Sequence, residues 1–465
     1  MSTQVQALVI GAGISGLAAA YALQKSGIET LVIEASTRPG GVIQSAKRDG
    51  FLLEYGPQSF NANAAISTIC KDLGIESELL RADPKAPRYI LIDGKLRAVP
   101  MGPGLLTSPF LAGGTRTALL RDLLGKSKPP ADDESLANFV RRKFSSTLLD
   151  RLIGPFVSGI YAGDPEKLSA RAAFPILHEA EAASGSVLRG VLKLKKTRKM
   201  HLAGAPREKP ILQTFREGNE TLILAIAAWL DERLRMSVEA VGIEPLDCGH
   251  EAKAPRFRVA IHTATGNQSI EAERLVLAVP ADIAARLLSS LDEGFSSPLE
   301  QIEYAGVAVV SLGYPLPDIG RSLNGFGFLV PRSSGVRILG TVWNSSLFPG
   351  RAPESEALLT SFVGGATDPA AIQRSSAQLV ELVHKDLAPI LGIQKEPTFS
   401  NAKVWSRAIP QYNLGHLARL TALEALRQRF PGLHLATNYL HGPSIGACVE
   451  QAFQLANEIR ISFAN

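Results

Sequence analysis

Short β-branched apolar runs and longer Ala/Leu-rich runs alternate along the chain, and their spacing predicts which segments are strands and which are helices. The stretch Ala7–Leu23 carries no charge over 17 residues. Its first part lies in "QALVI", the kind of short apolar run that forms a buried parallel strand. The rest, "SGLAAAYALQKSG", is rich in Ala and Leu and ends at Gly27, which suits a helix and its C-terminal stop. A second apolar run, "IETLVIEA", closes on Glu34.

The same reading continues downstream. "NAAISTICKDLGI" predicts a helix, and "RYILIDGKLRAVP" (88–100) predicts a hairpin around Asp93-Gly94. From 101 to about 205 the pattern is helical, as in "SLANFVRRKFSSTLLDRLIGPFVSGIY". Residues 211–300 carry strand-like runs ("FRVAIHTA", "RLVLAVP") and a helix ("ETLILAIAAWLDERL"). Residues 301–400 alternate strands ("VAVVSLGY", "GFGFLV", "VRILGTVW", "ALLTSFVGG") with the helix "SAQLVELVHKDLAPIL". The tail "LHLATNYLHGPSIGACVEQAFQLANEI" is again strand, glycine turn, helix. This is an α/β chain whose first and last segments fit one discontinuous, Rossmann-like nucleotide domain.

The glycines between the first strand and helix carry the chemistry. Gly11-Ala12-Gly13-Ile14-Ser15-Gly16 is a GxGxxG. Gly11 permits the tight turn, Gly13 lets backbone approach a diphosphate, and Gly16 lets helix and strand pack closely. The free N–H groups at the helix start are an anion site. Glu34, 18 residues past Gly16, is placed to accept from ribose hydroxyls, and an acid there disfavours a 2′-phosphate and so NADP. A GxGxxG alone is weak; with both strands and the acid it is specific. Ala35, Arg38, Gly40, Gly41 and Val42 follow, a second close-approach backbone after the acid. That arrangement resembles flavoproteins in which the chain runs on along FAD. "FLLEYGPQSF" comes next, with a turn at Gly56-Pro57 followed by Gln58 and Ser59.

Composition narrows the partners. The chain has 465 residues, 45% hydrophobic and 20% charged, as in ordinary globular proteins. A net charge of +5 is too weak to indicate nucleic acid, though it permits an acidic substrate or an anionic membrane surface. Three cysteines (Cys70, Cys248, Cys448) make no CxxC and no metal-ligand spacing, and reduced thiols fit a cytoplasmic protein. The opening apolar run lacks a charged leader and is shorter than the ~20 residues of a membrane helix. In "VLRGVLKLKKTRKM", Lys193, Lys195, Lys196, Arg198 and Lys199 cluster beside Leu188, Val191 and Leu194. This is either a solvated, mobile loop or a patch that docks on anionic lipid.

From "GPFVSGIYAGDPEKLSARAAFP" (154–175) a specific likeness emerges. With "GAGISGL", "GGVIQS", "GPQSF", "DPKAPRYILIDGKLRAVP", "GFGFLVP", "TSFVGG", "WSRAIPQYNLGH" and "NYLHGPSIGACVE" in this order, the whole chain resembles the oxygen-dependent, FAD-containing protoporphyrinogen and coproporphyrinogen oxidase family. The resemblance implies a flavin amine oxidase-like architecture. An FAD-binding domain (1–83, 211–300, 401–465) would join a mixed α/β substrate domain (84–100, 301–400) and a helical, membrane-associating domain (101–210). It implies FAD as cofactor and no metal, a porphyrinogen substrate and molecular oxygen. It also implies peripheral contact with the inner face of a membrane, and often a homodimer. The reaction would remove six electrons from protoporphyrinogen IX and give H₂O₂; coproporphyrinogen III is the alternative substrate.

Residue by residue, the resemblance places Gly11–Gly16, Glu34, Ala35, Val42 and Gly56–Ser59 on FAD, Ala240 by the adenine, and Trp405, Pro443, Ser444 and Ile445 near the flavin. Arg88 would pair with a propionate, and Leu329, Val342 and Phe362 would sandwich the macrocycle. The Gly159 carbonyl would face the pyrrole nitrogens. Each has a plainer alternative: surface arginine for Arg88, core packing for the apolar three and for Trp405, a helix-breaking turn for Gly159. Gln58 stands where relatives carry asparagine; Thr437 replaces a glycine and Pro443 a small apolar residue. No Ser/His/Asp triad or paired acids appear, and His178, His384, His416 and His441 read as structural. A flavin amine oxidase and a non-enzymatic prenyl-protein carrier of the same fold are the rivals.

Overall fold

The computed structural model describes residues 3–61, 63–100, 102–201, 211–246 and 256–464. The chain opens with β1 (Thr3–Ile10), helix α1 (Ile14–Lys25) and β2 (Thr30–Glu34), then a hairpin of β3 (Ser45–Arg48) and β4 (Phe51–Glu54). β5 (Phe60–Asn61), α2 (Ala64–Asp72) and β6 (Leu79–Arg81) lead to the hairpin β7 (Arg88–Ile92) and β8 (Lys95–Ala98). Helices α3 (Thr115–Leu124), α4 (Leu136–Lys143), α5 (Gly154–Tyr161), α6 (Pro175–Ser184) and α7 (Val187–His201) follow. After β9 (Leu212–Phe215) and α8 (Glu220–Leu230) come β10 (Leu234–Met236), β11 (Glu239–Leu246), β12 (Arg256–Thr263) and β13 (Gly266–Leu277). Then come β14 (Tyr304–Pro315), β15 (Gly327–Leu329), β16 (Ile338–Trp343), β17 (Glu356–Gly364), α9 (Ser376–Leu391) and β18 (Phe399–Pro410). Helix α10 (His416–Arg427), β19 (Leu433–Leu435) and α11 (Ile445–Ala464) complete the chain.

The first seven-stranded sheet runs β10-β2-β1-β13-β12-β11, with β19 beside β13. Its centre is parallel: β1 pairs β2 and β13, and β13 pairs β19. Both faces of β1 are buried, as its unbroken apolar run predicts. Ala7 and Val9 pack against α1, α2, α8 and α11, while Leu8 and Ile10 pack on the opposite side. The last strand and helix therefore return to the first, which makes the nucleotide unit discontinuous.

The second sheet runs β18-β14-β17-β16-β15-β7-β8. One face, including Ala308, Val310, Phe328 and Leu359, is covered by Leu379, Val383 and Leu387 of α9. The 88–100 hairpin joins this sheet through Gly327↔Arg88, and its turn residues Asp93 and Gly94 both take positive φ, +51° and +71°. The expected boundary at 401 cuts through β18. That strand pairs along β14 from Gly313↔Phe399 to Tyr304↔Pro410, so residues 401–410 belong to the second sheet.

The basic stretch near 190 is a helix, α7, and not a loop. Its start is capped from a distance: the Asp122 carboxylate accepts from Val187 N and Leu188 N. Asp122 is buried and paired with Lys143 at 2.7 Å, which also meets Glu181 at 3.3 Å, so a charged cluster ties α3, α4, α6 and α7 together. The side chains of Arg198 and Lys199, and Cys248, lie outside the described residues. Cys70 and Cys448 are free and buried. Among the described residues no helix is long and apolar enough to cross a membrane.

Candidate active site

The turn between β1 and α1 is shaped by what glycine lacks. Gly11 has φ +103°, and a Cβ there would sit 2.5 Å from Ala278 O. A Cβ on Gly16 would collide with Gly11 O. At Gly13 the same construction meets nothing within 4 Å. Gly13 is the N-cap of α1; no side chain caps that end and its first turn holds no acid. Free helix N–H groups thus face open space, the arrangement that holds a diphosphate. Gly40 N donates to Ala12 O at 2.7 Å, and a Cβ on Gly41 would come within 3.7 Å of the Gly13 Cα. The two glycine stretches therefore lie side by side. Buried Ile14 neighbours, Ser15 and Gly16, begin the helix beneath them.

Glu34 ends β2. One carboxylate oxygen accepts from Ala12 N at 2.7 Å and the other from Ser36 N at 2.9 Å and Ser36 Oγ at 2.7 Å. The acid fixes the glycine turn itself, and a carboxylate has further lone pairs for a ribose. Val238 N donates to Glu34 O at 2.9 Å, bringing β11 alongside; Ala240 is buried there opposite Ile261. Ala35 is exposed and Val42 half-buried beside the turn. Arg38 is half-buried in the same stretch. Its guanidinium donates to the carbonyls of Pro39, Gly41 and Ile43 and lies 3.6 Å from Glu220, so it braces the 39–43 backbone.

Gln58 is buried. Its amide donates to Glu54 O at 2.9 Å and Gly56 O at 3.0 Å and accepts from Asn344 Nδ2 at 2.7 Å. Those bonds turn it inward, where it clasps the 56–59 loop to the segment after β16. Pro57 O accepts from Asn219 Nδ2 at 2.7 Å, and Gly56 packs so tightly that a Cβ would strike Val42 O. Ser59 is half-buried at the end of this loop. Trp405 on β18 donates from Nε1 to Tyr55 O at 2.6 Å, fastening the second sheet to the residue before Gly56.

The substrate candidates gather on one face. Side chains directly opposite in adjacent strands share a face, as do residues two apart. Leu329↔Gly340 and Gly340↔Phe362 set Leu329 and Phe362 on either side of a position without a side chain. Val342, two residues past Gly340, and Trp405, opposite Val307, share that face, as does Arg88, opposite Gly327. This is the face away from α9. Arg88 is exposed, its guanidinium 5.4 Å over the Phe326 ring. Gly159 on α5 packs against this surface; a Cβ there would lie 2.7 Å from Leu329 Cδ2. At the C-terminal turn Pro443 is half-buried, Ile445 is buried and Ser444 Oγ accepts from Ala447 N at 3.2 Å, starting α11.

Two buried polar pairs escaped the pattern reading. Buried Glu54 accepts from Ser45 Oγ at 2.7 Å and Asn219 N at 2.8 Å and lies 3.4 Å from buried Arg351. Burial pushes its carboxyl up to about 7, against the pull of Arg351. Arg351 reaches on to Thr214 Oγ1 at 2.6 Å, so this pair ties the β3–β4 hairpin and β9 to the segment between β16 and β17. A lone acid inside the apolar run "FLLEY" was the available signal. The second is Tyr412 stacked on His416, in "IPQYNLGH".

A diphosphate cradle on a parallel sheet, tied through Trp405 and Tyr55 to a second sheet with an apolar face, is the arrangement of a dinucleotide-dependent enzyme. The chain belongs to the flavin containing amine oxidoreductase family, whose profile matches residues 14–460. It is 36% identical to the chloroplastic protoporphyrinogen oxidase of Nicotiana tabacum, over 98% of this chain and 86% of that protein. It is 30% identical to the coproporphyrinogen III oxidase of Bacillus subtilis (strain 168), over 96% of this chain and 95% of that one. Among solved structures, one from Exiguobacterium sp. 255-15, provisionally assigned as a protoporphyrinogen oxidase, superposes with a TM-score of 0.79 at 25% identity, covering 99% of both chains. A reduced UDP-galactopyranose mutase shares the fold, with a TM-score of 0.73 at 16% identity over 98% of this chain and 95% of that one. The cofactor is FAD, and the open notch at Gly13, the uncapped start of α1 and Glu34 fit it.

Proposed function

We propose that this enzyme oxidises protoporphyrinogen IX to protoporphyrin IX with molecular oxygen as acceptor, in three two-electron steps that yield three H₂O₂. The single observation that carries the reading is the shared face. Arg88, Leu329, Val342, Phe362 and Trp405, far apart in sequence, lie on one side of the second sheet, beside the loop that meets the nucleotide cradle. Held by the Gly11–Gly16 turn and Glu34, FAD would supply the hydride acceptor and the route of electrons to O₂. The chain's own task is to bind and orient. Leu329, Val342 and Phe362 offer an apolar floor to a flat macrocycle, and an exposed guanidinium at the sheet edge makes a charge-assisted contact with a propionate. Gly159 keeps α5 close enough to shape the wall. The division into cofactor segments (1–83, 211–300 and the chain after 410), substrate segments (84–100 and 301–410) and a helical region (101–210) follows the two sheets.

The reading includes peripheral contact with an anionic membrane surface. Leu120, Leu123 and Leu124 on α3 and Leu192 on α7 are exposed, Leu124 by 80%, beside exposed Lys195 and Lys196.

The test is aerobic turnover of protoporphyrinogen IX and coproporphyrinogen III side by side, by porphyrin fluorescence with H₂O₂ detection, with and without anionic vesicles. A higher kcat/KM on protoporphyrinogen and co-sedimentation with the vesicles are expected. Preference for coproporphyrinogen, the activity of the Bacillus relative, overturns the substrate assignment. No turnover from yellow protein leaves amine oxidation.

A further inference from the structure

The turn between β19 and α11 is held by two side chains from another segment. Tyr412 is 3% exposed. Its hydroxyl donates to Asn438 O at 2.7 Å and accepts from Gly442 N at 2.7 Å, so one atom closes both ends of the 438–442 turn. The ring lies flat on His416, with centroids 4.4 Å apart and planes 10° apart. His416 is 1% exposed and its Nε2 bonds Tyr439 O at 2.9 Å. The acceptor there is a carbonyl, so Nε2 carries the proton. Two stacked rings thus grip one turn at three backbone atoms.

The segment that bears them is itself anchored. Ser169 N donates to Tyr412 O at 2.8 Å, and Leu414 N to Lys167 O at 2.9 Å. Asp133 accepts from Gly415 N at 3.0 Å and from Ser169 Oγ at 2.7 Å. Residues 412–416 therefore stand between the helical region and the terminal turn. Past the turn, Gly442 takes φ +125°, and Pro443 and Ser444 lead straight into α11, whose first turn holds no acid. The helix start is also held by Asn63 Nδ2, which donates to Gly446 O at 2.8 Å, and by buried Ile445; the preceding turn is held by Tyr412 and His416.

We propose that Tyr412 and His416 are positioning residues that fix the N-terminus of α11 against the flavin and so set how readily the flavin takes up electrons. This rests on the reading above that Pro443–Ile445 lie along the flavin. A helix N-terminus carries about half a positive charge, and its influence falls off within about one turn. A small displacement therefore weakens its support for the negative charge that arrives on reduction. Neither side chain needs to touch substrate or cofactor.

The test uses holoenzyme and no porphyrinogen. Tyr412→Phe keeps the ring and the stack and deletes both hydroxyl bonds. His416→Gln can keep a donor toward Tyr439 O while removing the stack. The flavin midpoint potential is measured by dye equilibration and the visible spectrum recorded, alongside FAD content. Tyr412→Phe is expected to retain FAD, shift its potential negative and alter its flavin bands. His416→Gln is expected to shift the potential in the same direction by less. Should Tyr412→Phe be recovered without FAD, the His416→Gln potential decides. An unchanged potential and spectrum in FAD-replete Tyr412→Phe overturns the proposal, as does an unchanged potential in His416→Gln where that variant decides. The potential is independent of which substrate is turned over. Failure of the porphyrinogen assignment would leave this result standing, whereas a colourless wild-type protein would remove the underlying reading first.

Discussion

The sheet built on β1 and the sheet built on β14 each have seven strands, yet they meet a ligand by different means. The first offers backbone. Its ligand-facing end is a turn of glycines, an uncapped helix and a carboxylate already bonded to the turn it supports. The second offers side chains: an apolar floor around Gly340, an indole and the guanidiniums of Arg88 and Arg97 at the edge. Backbone recognition needs residues that are absent at the Cβ. Side-chain recognition needs residues indistinguishable, taken singly, from core. The first sheet should therefore fail abruptly when a Cβ is added, and the second should lose affinity by degrees.

The sharpest test lies within five residues. A side chain on Gly16 runs into Gly11 O, whereas one on Gly13 enters open space. Gly16→Val is expected to yield insoluble or unfolded protein. Gly13→Val is expected to fold, with the melting temperature of wild-type apoprotein, and to carry no FAD by absorbance. Recovery of Gly13→Val with full FAD would show that the open space is not where the diphosphate lies, and the contrast between the sheets would collapse.

That contrast also explains what was legible in advance. The glycine turn, Glu34 and the Asp93-Gly94 hairpin are readable because a backbone conformation dictates the residue type locally. Other features depend on partners far away. The helix at 187–201 read equally well as a loop because its cap, Asp122, is 65 residues upstream of Val187. β18 was split at 401 because its mixed exposure shows no alternation to mark a strand. Gln58 turns inward because Asn344, 286 residues later, supplies its partner. Glu54 and Arg351 are 297 residues apart, and no local pattern couples them. The apolar floor was reached only through resemblance. Leucine, valine and phenylalanine on a strand are what core packing would also select.

The second sheet is tested at its edge. Arg88→Ala removes one cation from that end of the face, which Arg97 and Lys95 of β8 share, without touching the nucleotide cradle, since among the described residues β7 pairs with β15 and β8 alone. Loss of a charged hydrogen bond amounts to about 1.5–3 kcal/mol, or roughly a 10- to 150-fold rise in the KM for porphyrinogen. FAD content and melting temperature are expected to stay at wild-type values because the side chain is exposed. An unchanged KM would make Arg88 a surface arginine and take it out of the substrate surface.

The smallest effect is one of pH, and it again separates the sheets. The strands of the second sheet contain no histidine, whereas β19 places His434 inside the first. Its Nε2 is buried with no hydrogen-bond partner, and burial, followed by the charges of Arg427 and Arg274, pushes its pKa down to about 3. An unfolded histidine titrates near 6.5. Between those values the unfolded chain binds the proton and the folded chain does not, so stability is intact above about 6.5 and declines as pH falls toward 3. Each unit amounts to about 1.4 kcal/mol, which limits the loss to about 2 kcal/mol by pH 5. Because β19 pairs β13 in the cofactor sheet, this loss is expected to show as FAD release before the rest of the chain melts. Flavin fluorescence followed against pH, beside the melting temperature, reads both events. His434→Gln cannot take up the proton, so its release curve should move to lower pH. Identical curves for variant and wild type would mean that acid reaches the cofactor sheet by another group, and that the difference between the sheets lies in their ligand surfaces alone.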